Sequence, residues 1–354
     1  MRRALEHARR GLGRTSPNPI VGACVVSADG IVLGDGAHER AGEPHAEVHA
    51  LDEAGARARG ATLYCTLEPC VHMGKTGPCT ERIIAAGITR VVAAMEDPFP
   101  LVSGRGFAAL REKGIAVDVG VECAAAARLN QPFLTTVREG RPFVILKAAT
   151  SADGRLAAAP GERTPLTSTD AQRHAHYHRA GVDAVAIGSE TLLVDDPLLT
   201  ARHVYRERPL ARVVFDRRLR TPASARLFST LSSGPVIVIT TPDALRAQGG
   251  RAAALRNAGA TVMDAEPGLR GALRVLPPLG IQSVIVEGGA AVHQAAWDED
   301  LVDYVQLYVT PAILGERGIP FLEGRLFSTA SLIDPHVHAA GPDVIIEGYV
   351  HRPH

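Results

Sequence analysis

Aromatic side chains are scarce in this chain, 4% of 354 residues with a single Trp, and that scarcity already narrows the choice of partners. A protein that grips single-stranded nucleic acid needs rings on which bases stack and a basic groove that follows the phosphates. The charge is equally unsuited, because 38 Lys and Arg balance 38 Asp and Glu for a formal net charge of zero. Local basic runs such as Arg206 to Arg220 suffice only for a small phosphorylated metabolite. No apolar run approaches the roughly 20 residues of a membrane span. Nor does an apolar stretch follow Arg2-Arg3 and Arg9-Arg10 as a secretory signal requires. Cysteine is sparse and odd in number, five residues, which fits a reducing cytoplasm rather than a disulfide framework. Repeats and low-complexity tracts are absent. The second half has no GxGxxG after its first strand, so a Rossmann dinucleotide site is not expected.

What is present suggests two α/β domains. In the first 140 or so residues, Val21 to Ser27 and Ile31 to Gly36 flank an Asp29-Gly30 turn, a strong hairpin signal. Helical patterns begin near His45 and Pro78, alternating with apolar strands at Ala61 to Leu67, Arg90 to Ala94 and Ile115 to Val119. Gly140-Arg141-Pro142 marks a boundary, giving expected domains 1–141 and 142–354. Beyond it, strands at Phe143, Val182, Arg212, Val236, Ser283 and Tyr304 alternate with helices at Ala244 to Asn257 and Ala291 to Trp297, the pattern of a mainly parallel sheet.

The chemistry of the first domain is carried by Pro44-His45-Ala46-Glu47 and by Cys70 and Cys79. One imidazole and two thiolates make three zinc ligands, and a catalytic zinc keeps its fourth position for water, whereas a structural one is closed by four. Zinc lowers the pKa of that water to about 7, and an adjacent carboxylate, here Glu47, carries the proton to a leaving amine. His49 lies four residues after His45 on the same helical face and is the better candidate for a closed, structural site; His72 is another. The remaining cysteines, Cys24, Cys65 and Cys123, lie in apolar patterns and are expected in the core. Asn18, between two prolines, is placed to hydrogen-bond a substrate and is equally a good turn residue.

In the second domain, Val286-Glu287-Gly288-Gly289 ends an apolar strand ahead of a helix, where glycines admit a pyrophosphate to free backbone N–H groups. Taken alone, Gly-Gly after a strand is often only a turn. His174, His176 and His178 form a suggestive cluster, but no neighbouring carboxylate or cysteine accompanies them. A solvated helix face is expected there.

Nucleobase deaminases usually place their two cysteines two residues apart, whereas eight residues separate Cys70 from Cys79. With Ser16-Pro-Asn-Pro-Ile-Val-Gly22, Gly42-Glu-Pro-His45-Ala-Glu47, Thr66-Leu-Glu-Pro-Cys70 and Asp97-Pro98, this spacing resembles the deaminase domain of the bifunctional riboflavin-biosynthesis deaminase/reductase family. The segments Leu146 to Arg155, Ile187 to Thr200 and Val286 to Gly289 occur in the order of that family's reductase domain. The resemblance implies a cytidine-deaminase-like α/β/α domain followed by a dihydrofolate-reductase-like α/β domain. It implies Zn2+ and NADPH as cofactors, a phosphorylated pyrimidine as substrate, and a cytoplasmic homo-oligomer. His45, Cys70 and Cys79 would hold zinc, Glu47 would be catalytic, and Asn18, His72 and Lys75 would meet the deaminase substrate. Ala149, Pro165, Thr191, Asp195, Arg217 and Gly289 would lie along the nicotinamide cofactor. Arg163, Arg179, Leu199, Arg202 and Glu287 would contact the reductase substrate, with Lys147 or Asp153 as proton donor. Pro165-Leu166 stands where the family commonly has Trp-Ile, and Arg217 where it commonly has Ser, placing a guanidinium within reach of a 2′-phosphate. Two other readings remain: a deaminase whose C-terminal half only binds nucleotide or joins subunits, and a nucleic-acid deaminase.

Overall fold

The computed structural model describes residues 1–71, 77–324 and 327–354. The chain forms two compact units, residues 1–139 with 353–354, and residues 140–352.

In the first unit the strands are β1 (Gly22–Val26), β2 (Val32–Ala37), β3 (Thr62–Cys65), β4 (Arg90–Ala93) and β5 (Ala116–Val119), ordered β2-β1-β3-β4-β5. The β1–β2 hairpin forms over the Asp29-Gly30 turn. β1 runs antiparallel to both its neighbours, while β3, β4 and β5 are parallel. Helices α1 (Arg2–Ala8), α2 (Ala46–Ala54), α3 (Cys79–Ala85), α4 (Arg105–Glu112), α5 (Cys123–Leu129) and α6 (Gln131–Glu139) cover the sheet. Glycines decide how closely two of them approach. A Cβ at Gly22 would lie 1.9 Å from the Ala4 carbonyl of α1, and one at Gly36 would lie 2.0 Å from the Ala46 carbonyl of α2. Gly22 pairs with Ala37, next to Gly36 on a strand of period two, so α1 and α2 occupy opposite faces. The result is three layers around a core that includes Val25, Leu63, Ile83, Val91 and Leu110. Cys24 and Cys65 are in the core as expected, but Cys123 is exposed at the start of α5, where no packed surface covers it.

The second unit contains β6 (Phe143–Thr150), β7 (Arg155–Ala157), α7 (Thr169–Gly181), β8 (Ala184–Gly188), α8 (Ser189–Asp195), β9 (Ala211–Phe215), β10 (Val236–Thr240), α9 (Pro242–Ala247), α10 (Gly249–Asn257), β11 (Ala260–Asp264), α11 (Leu269–Arg274), β12 (Ser283–Gly288), α12 (Ala290–Asp298), β13 (Tyr304–Val309), β14 (Ile319–Pro320), β15 (Ile333–Ala340) and β16 (Asp343–Tyr349). One sheet runs β11-β10-β9-β8-β12-β6-β13-β16-β15; it is parallel as far as β13, and β16 and β15 close that edge antiparallel. Alternate residues feed two cores, Val144, Ala184, Val213 and Val286 on one face and Val185, Val214, Val238 and Ile285 on the other, which is why these strands read as continuous apolar runs. The predicted helix from Ala244 to Asn257 is two helices broken at Gln248.

The order places β12 between β8 and β6, where the chain, having run outward to β11, returns and crosses to β13. In open α/β sheets ligands sit at such reversals, beyond the carboxyl ends of the strands.

Candidate active sites

His45 is the residue just before α2, Glu47 lies in that helix's first turn, and Cys79 is the first residue of α3. Cys70 reaches them from the loop after β3. His45 Nδ1 lies 3.2 Å from Cys79 Sγ and 3.5 Å from Cys70 Sγ. A tetrahedral zinc with bonds of about 2.0–2.3 Å spaces its donors by roughly 3.3–3.8 Å, so this set fits the ion without rearrangement. The α3 N-terminus is aimed at the site, since the Cys79 N–H donates to Cys70 Sγ at 3.3 Å. Hydrogen bonding from Cys79, opposed by burial and reinforced by His45, draws the Cys70 thiol well below the ordinary cysteine range. Among the described residues no fourth histidine or cysteine joins the cluster, and His49 is not part of it. Glu47 is 3% exposed, burial pushes its carboxyl up to about 7, and its Oε2 has no partner among the described residues.

Neighbouring groups hold this centre in place. Asn18 Nδ2 donates to His38 Nε2 at 3.0 Å, and His38 Nδ1 donates to the Pro44 carbonyl at 3.2 Å. Burial keeps His38 below the usual histidine pKa and so neutral, and its ring lies 5.3 Å from that of His45. Glu68, two residues before Cys70, accepts N–H groups of Asp97, Gly104, Gly106 and Phe107 at 2.9–3.2 Å.

In the second unit a two-lobed cavity opens at the ends of β6, β8 and β12, with lobes of about 610 and 640 Å³. Lys147, Ala149, Arg163, Thr191, Asp195 and Glu287 line both lobes. One lobe continues over Gly188, Gly289 and the start of α12 to Arg217, Arg218 and Arg220. The other continues to Pro165, His176, Arg179, Leu199 and Arg202. The Gly289 N–H donates to Thr191 Oγ1 at 2.9 Å, and a Cβ on Gly289 would meet that oxygen at the same distance. Glu287 is the extra residue of a bulge in the β12–β8 pairing, the device that turns a side chain out of a ladder. It forms a two-pronged ion pair with Arg179, whose Nε lies 2.5 Å from Oε1. Burial alone would raise the Glu287 pKa, but Arg179 and Lys147 outweigh it and hold the carboxylate at about 2. Burial likewise lowers the Lys147 amine, which lies 5.0 Å from the centroid of the Tyr308 ring.

Comparison with known proteins agrees with both centres. Residues 1–95 match the cytidine and deoxycytidylate deaminase zinc-binding region, and residues 142–346 match the RibD C-terminal domain. The riboflavin biosynthesis protein RibD of Aquifex aeolicus is 42% identical over 89% of this chain and 87% of its own length. This chain belongs to the RibD family. The solved structure of Acinetobacter baumannii RibD matches with a TM-score of 0.86 at 35% identity, covering 98% of this chain and 97% of that one. A Thermotoga maritima diaminohydroxyphosphoribosylaminopyrimidine deaminase/5-amino-6-(5-phosphoribosylamino)uracil reductase matches at 0.81 and 34% identity, over 99% of this chain and 97% of that one. As in RibD generally, a zinc-dependent deaminase domain precedes a reductase domain in one bifunctional enzyme of riboflavin biosynthesis.

Of the expected RibD site residues, the structure gathers Lys147, Ala149, Arg163, Thr191, Asp195 and Glu287 at the junction of the lobes, with Gly289 and Arg217 along one arm and Arg179, Leu199 and Arg202 along the other. Pro165, expected beside the cofactor, lines only the Arg179 lobe. Asp153 is not brought to the cavity. It is exposed and accepts the Leu314 and Gly315 N–H groups, closing a turn, and the Ser151 hydroxyl bond at 2.6 Å together with these two holds it at about 2. His72 and Lys75 lie outside the described residues. The histidines of α7 are not a solvated face: His176 is buried in the Arg179 lobe, and His174 and His178 pack toward β13 and β16. Beyond the Glu-Pro-Cys spacing, a hint for Glu68, the sequence gives no signal for the roles of His38 and Glu68, and it places His176 only on a solvated face, because the partners of all three come from distant strands and loops.

No helix of the described residues is long and apolar enough to cross a membrane.

Proposed function

We propose that the first unit (residues 1–141 in functional terms) hydrolytically deaminates 2,5-diamino-6-ribosylamino-4(3H)-pyrimidinone 5′-phosphate, and that the second (142–354) reduces the ribosyl group of the product to ribityl with NADPH. The observation that carries the reading is the convergence of His45, Cys70 and Cys79 beside the buried Glu47. Zinc held by those three residues supplies the Lewis acidity that activates water. Glu47 takes a proton at its free carboxylate oxygen and delivers it to the departing amine, so that water and the aminopyrimidine give the oxo product and ammonia. Asn18, oriented by His38, presents its Oδ1 to the substrate.

In the reductase, Gly289 and the N-terminus of α12 receive the cofactor phosphates, and Arg217 with Arg218 faces the 2′-phosphate. NADPH supplies hydride to the ribose C1′. Lys147, whose proton burial loosens, protonates the ring oxygen as the C1′–O bond opens. Glu287 binds ribose hydroxyls while held by Arg179, and Arg163 and Arg202 hold the phosphate. Five cysteines without a disulfide fit a cytoplasmic setting, and the long edge strand β15 fits a homo-oligomer. Incubation with the pyrimidine substrate, with and without NADPH, tests the scheme. Ammonia is expected in both mixtures and loss of NADPH absorbance in one; ammonia without NADPH consumption would overturn the reductase assignment.

A further inference from the structure

His174 and His178 stand one turn apart on α7, and neither lines the two-lobed cavity. The hairpin β15–β16 brings His338 and Glu347 to them from more than 150 residues further along the chain. His338 pairs with Ile345, two residues from Glu347, so both side chains project from one face. The His174 Nε2 lies 3.2 Å from His178 Nε2 and 3.3 Å from His338 Nε2, and Glu347 Oε1 lies 4.0 Å from His178 Nε2. Donor atoms of His174, His338 and Glu347 all fall within 4.8 Å of one another.

A neutral imidazole nitrogen is either a donor or an acceptor, and one lone pair on His174 is poorly shared by two neighbours of its own kind. A cation among them removes the conflict, and nitrogen donors about 2.0–2.1 Å from a tetrahedral ion stand roughly 3.3–3.4 Å apart. The outer nitrogens are already held: His174 Nδ1 lies 2.9 Å from the Tyr308 hydroxyl and His178 Nδ1 lies 2.7 Å from the Gln306 amide. Such second contacts orient metal-ligating histidines. Gln306 is 1% exposed, and its Oε1 is buried with no partner. The Gln306 Nε2 that meets His178 Nδ1 also donates to Glu347 Oε1 at 2.7 Å, tying that carboxylate to the same cluster.

We infer that His174, His338 and Glu347 form a second metal site, with His178 beside it, for a divalent transition ion of the zinc class. Two imidazoles and a carboxylate suit zinc, cobalt or nickel. The ion pins α7, which presents His176 and Arg179 to the cavity, to the hairpin at the sheet edge.

The test is cobalt titration of the full-length, chelator-stripped protein, read by visible absorption and by bound metal per chain. Two equivalents are expected. One carries the thiolate-to-cobalt charge-transfer band of the Cys70–Cys79 site, and the other shows ligand-field bands alone. His338→Ala, a change at an exposed position, should remove the second equivalent and leave the charge-transfer band and the circular dichroism unchanged. His351→Ala, a matched surface loss, should retain both. A single equivalent in the wild type, or two in His338→Ala, overturns the proposal. Absence of the charge-transfer band would count against the thiolate site instead, so the two readings fail separately.

Discussion

Two glutamates show how far environment, not residue type, sets chemistry. Glu47 and Glu287 are both sequestered, yet burial carries one up to about 7, and Arg179 carries the other down to about 2. The first is suited to exchange a proton and the second to remain a fixed anion. Glu47→Gln preserves shape and hydrogen bonding but cannot accept a proton. Deamination should fall by at least about 100-fold, with zinc content unchanged by metal analysis and reduction of the deaminated intermediate intact. Loss of both activities would remove the two-site scheme. For Glu287 the sign follows from its depressed pKa. The ion pair stabilises the native state above the ordinary carboxylate value of 4.5 and is lost as pH falls from there toward about 2. Between those limits the wild type should lose on the order of 3 kcal/mol more unfolding free energy than the Arg179→Met/Glu287→Gln double variant. Denaturant titrations at several acidic pH values measure the difference, and parallel curves would exclude it.

At the scale of elements, the metal loops are held by a carboxylate that does no chemistry. Glu68 gathers four backbone N–H groups from the segment 97–107, and Gly106 is without a side chain because a Cβ there would lie 2.1 Å from the Pro69 carbonyl. Glu68→Ala leaves those donors buried and unpaired. At about 1–3 kcal/mol for each unsatisfied group, partly relieved by water, a loss of at least about 3 kcal/mol is expected from chemical denaturation, together with weaker zinc retention. A loss under 1 kcal/mol would show that the segment is held otherwise. The same scale explains what could be read in advance. The β1–β2 hairpin, the helix starts at His45 and Cys79 and the parallel strands were legible because turn residues, prolines and apolar runs are local signals. The β15–β16 hairpin was not, since Ile333 to Ala340 is an exposed edge rich in His, Asp and Pro rather than β-branched apolar residues. Without that hairpin, Glu347 could not be seen to join His174 and His178, and a 3.6-residue period suggested only a shared face. Asp153 failed for the complementary reason: Asp-Gly after a strand is a turn signal and a proton-donor signal at once, and contacts with residues 314 and 315 decide between them.

For the molecule as a whole, each unit has its own core and its own chemistry, so damage at one centre should not spread to the other. Cys79→Ser should abolish ammonia release while reduction of the deaminated intermediate continues within about twofold of the wild type. The reciprocal change is made at Arg217, exposed with no side-chain partner among the described residues, next to Arg218 at the far end of the Gly289 arm, the proposed cofactor arm. Arg220 is already committed, to Glu190 at 2.8 Å and to Ser189, whereas Arg217 and Arg218 beside it have no side-chain partner among the described residues and are offered for a 2′-phosphate. A charge-assisted hydrogen bond of about 1.5–3 kcal/mol corresponds to roughly a 10- to 150-fold change in binding. Arg217→Ala should therefore raise the KM for NADPH by at least about tenfold and leave that for NADH nearly unchanged, with ammonia release untouched. Steady-state kinetics with both cofactors separates the outcomes. An equal rise for NADPH and NADH would mean that Arg217 shapes the arm without reading the phosphate. No change for either would move that role to Arg218.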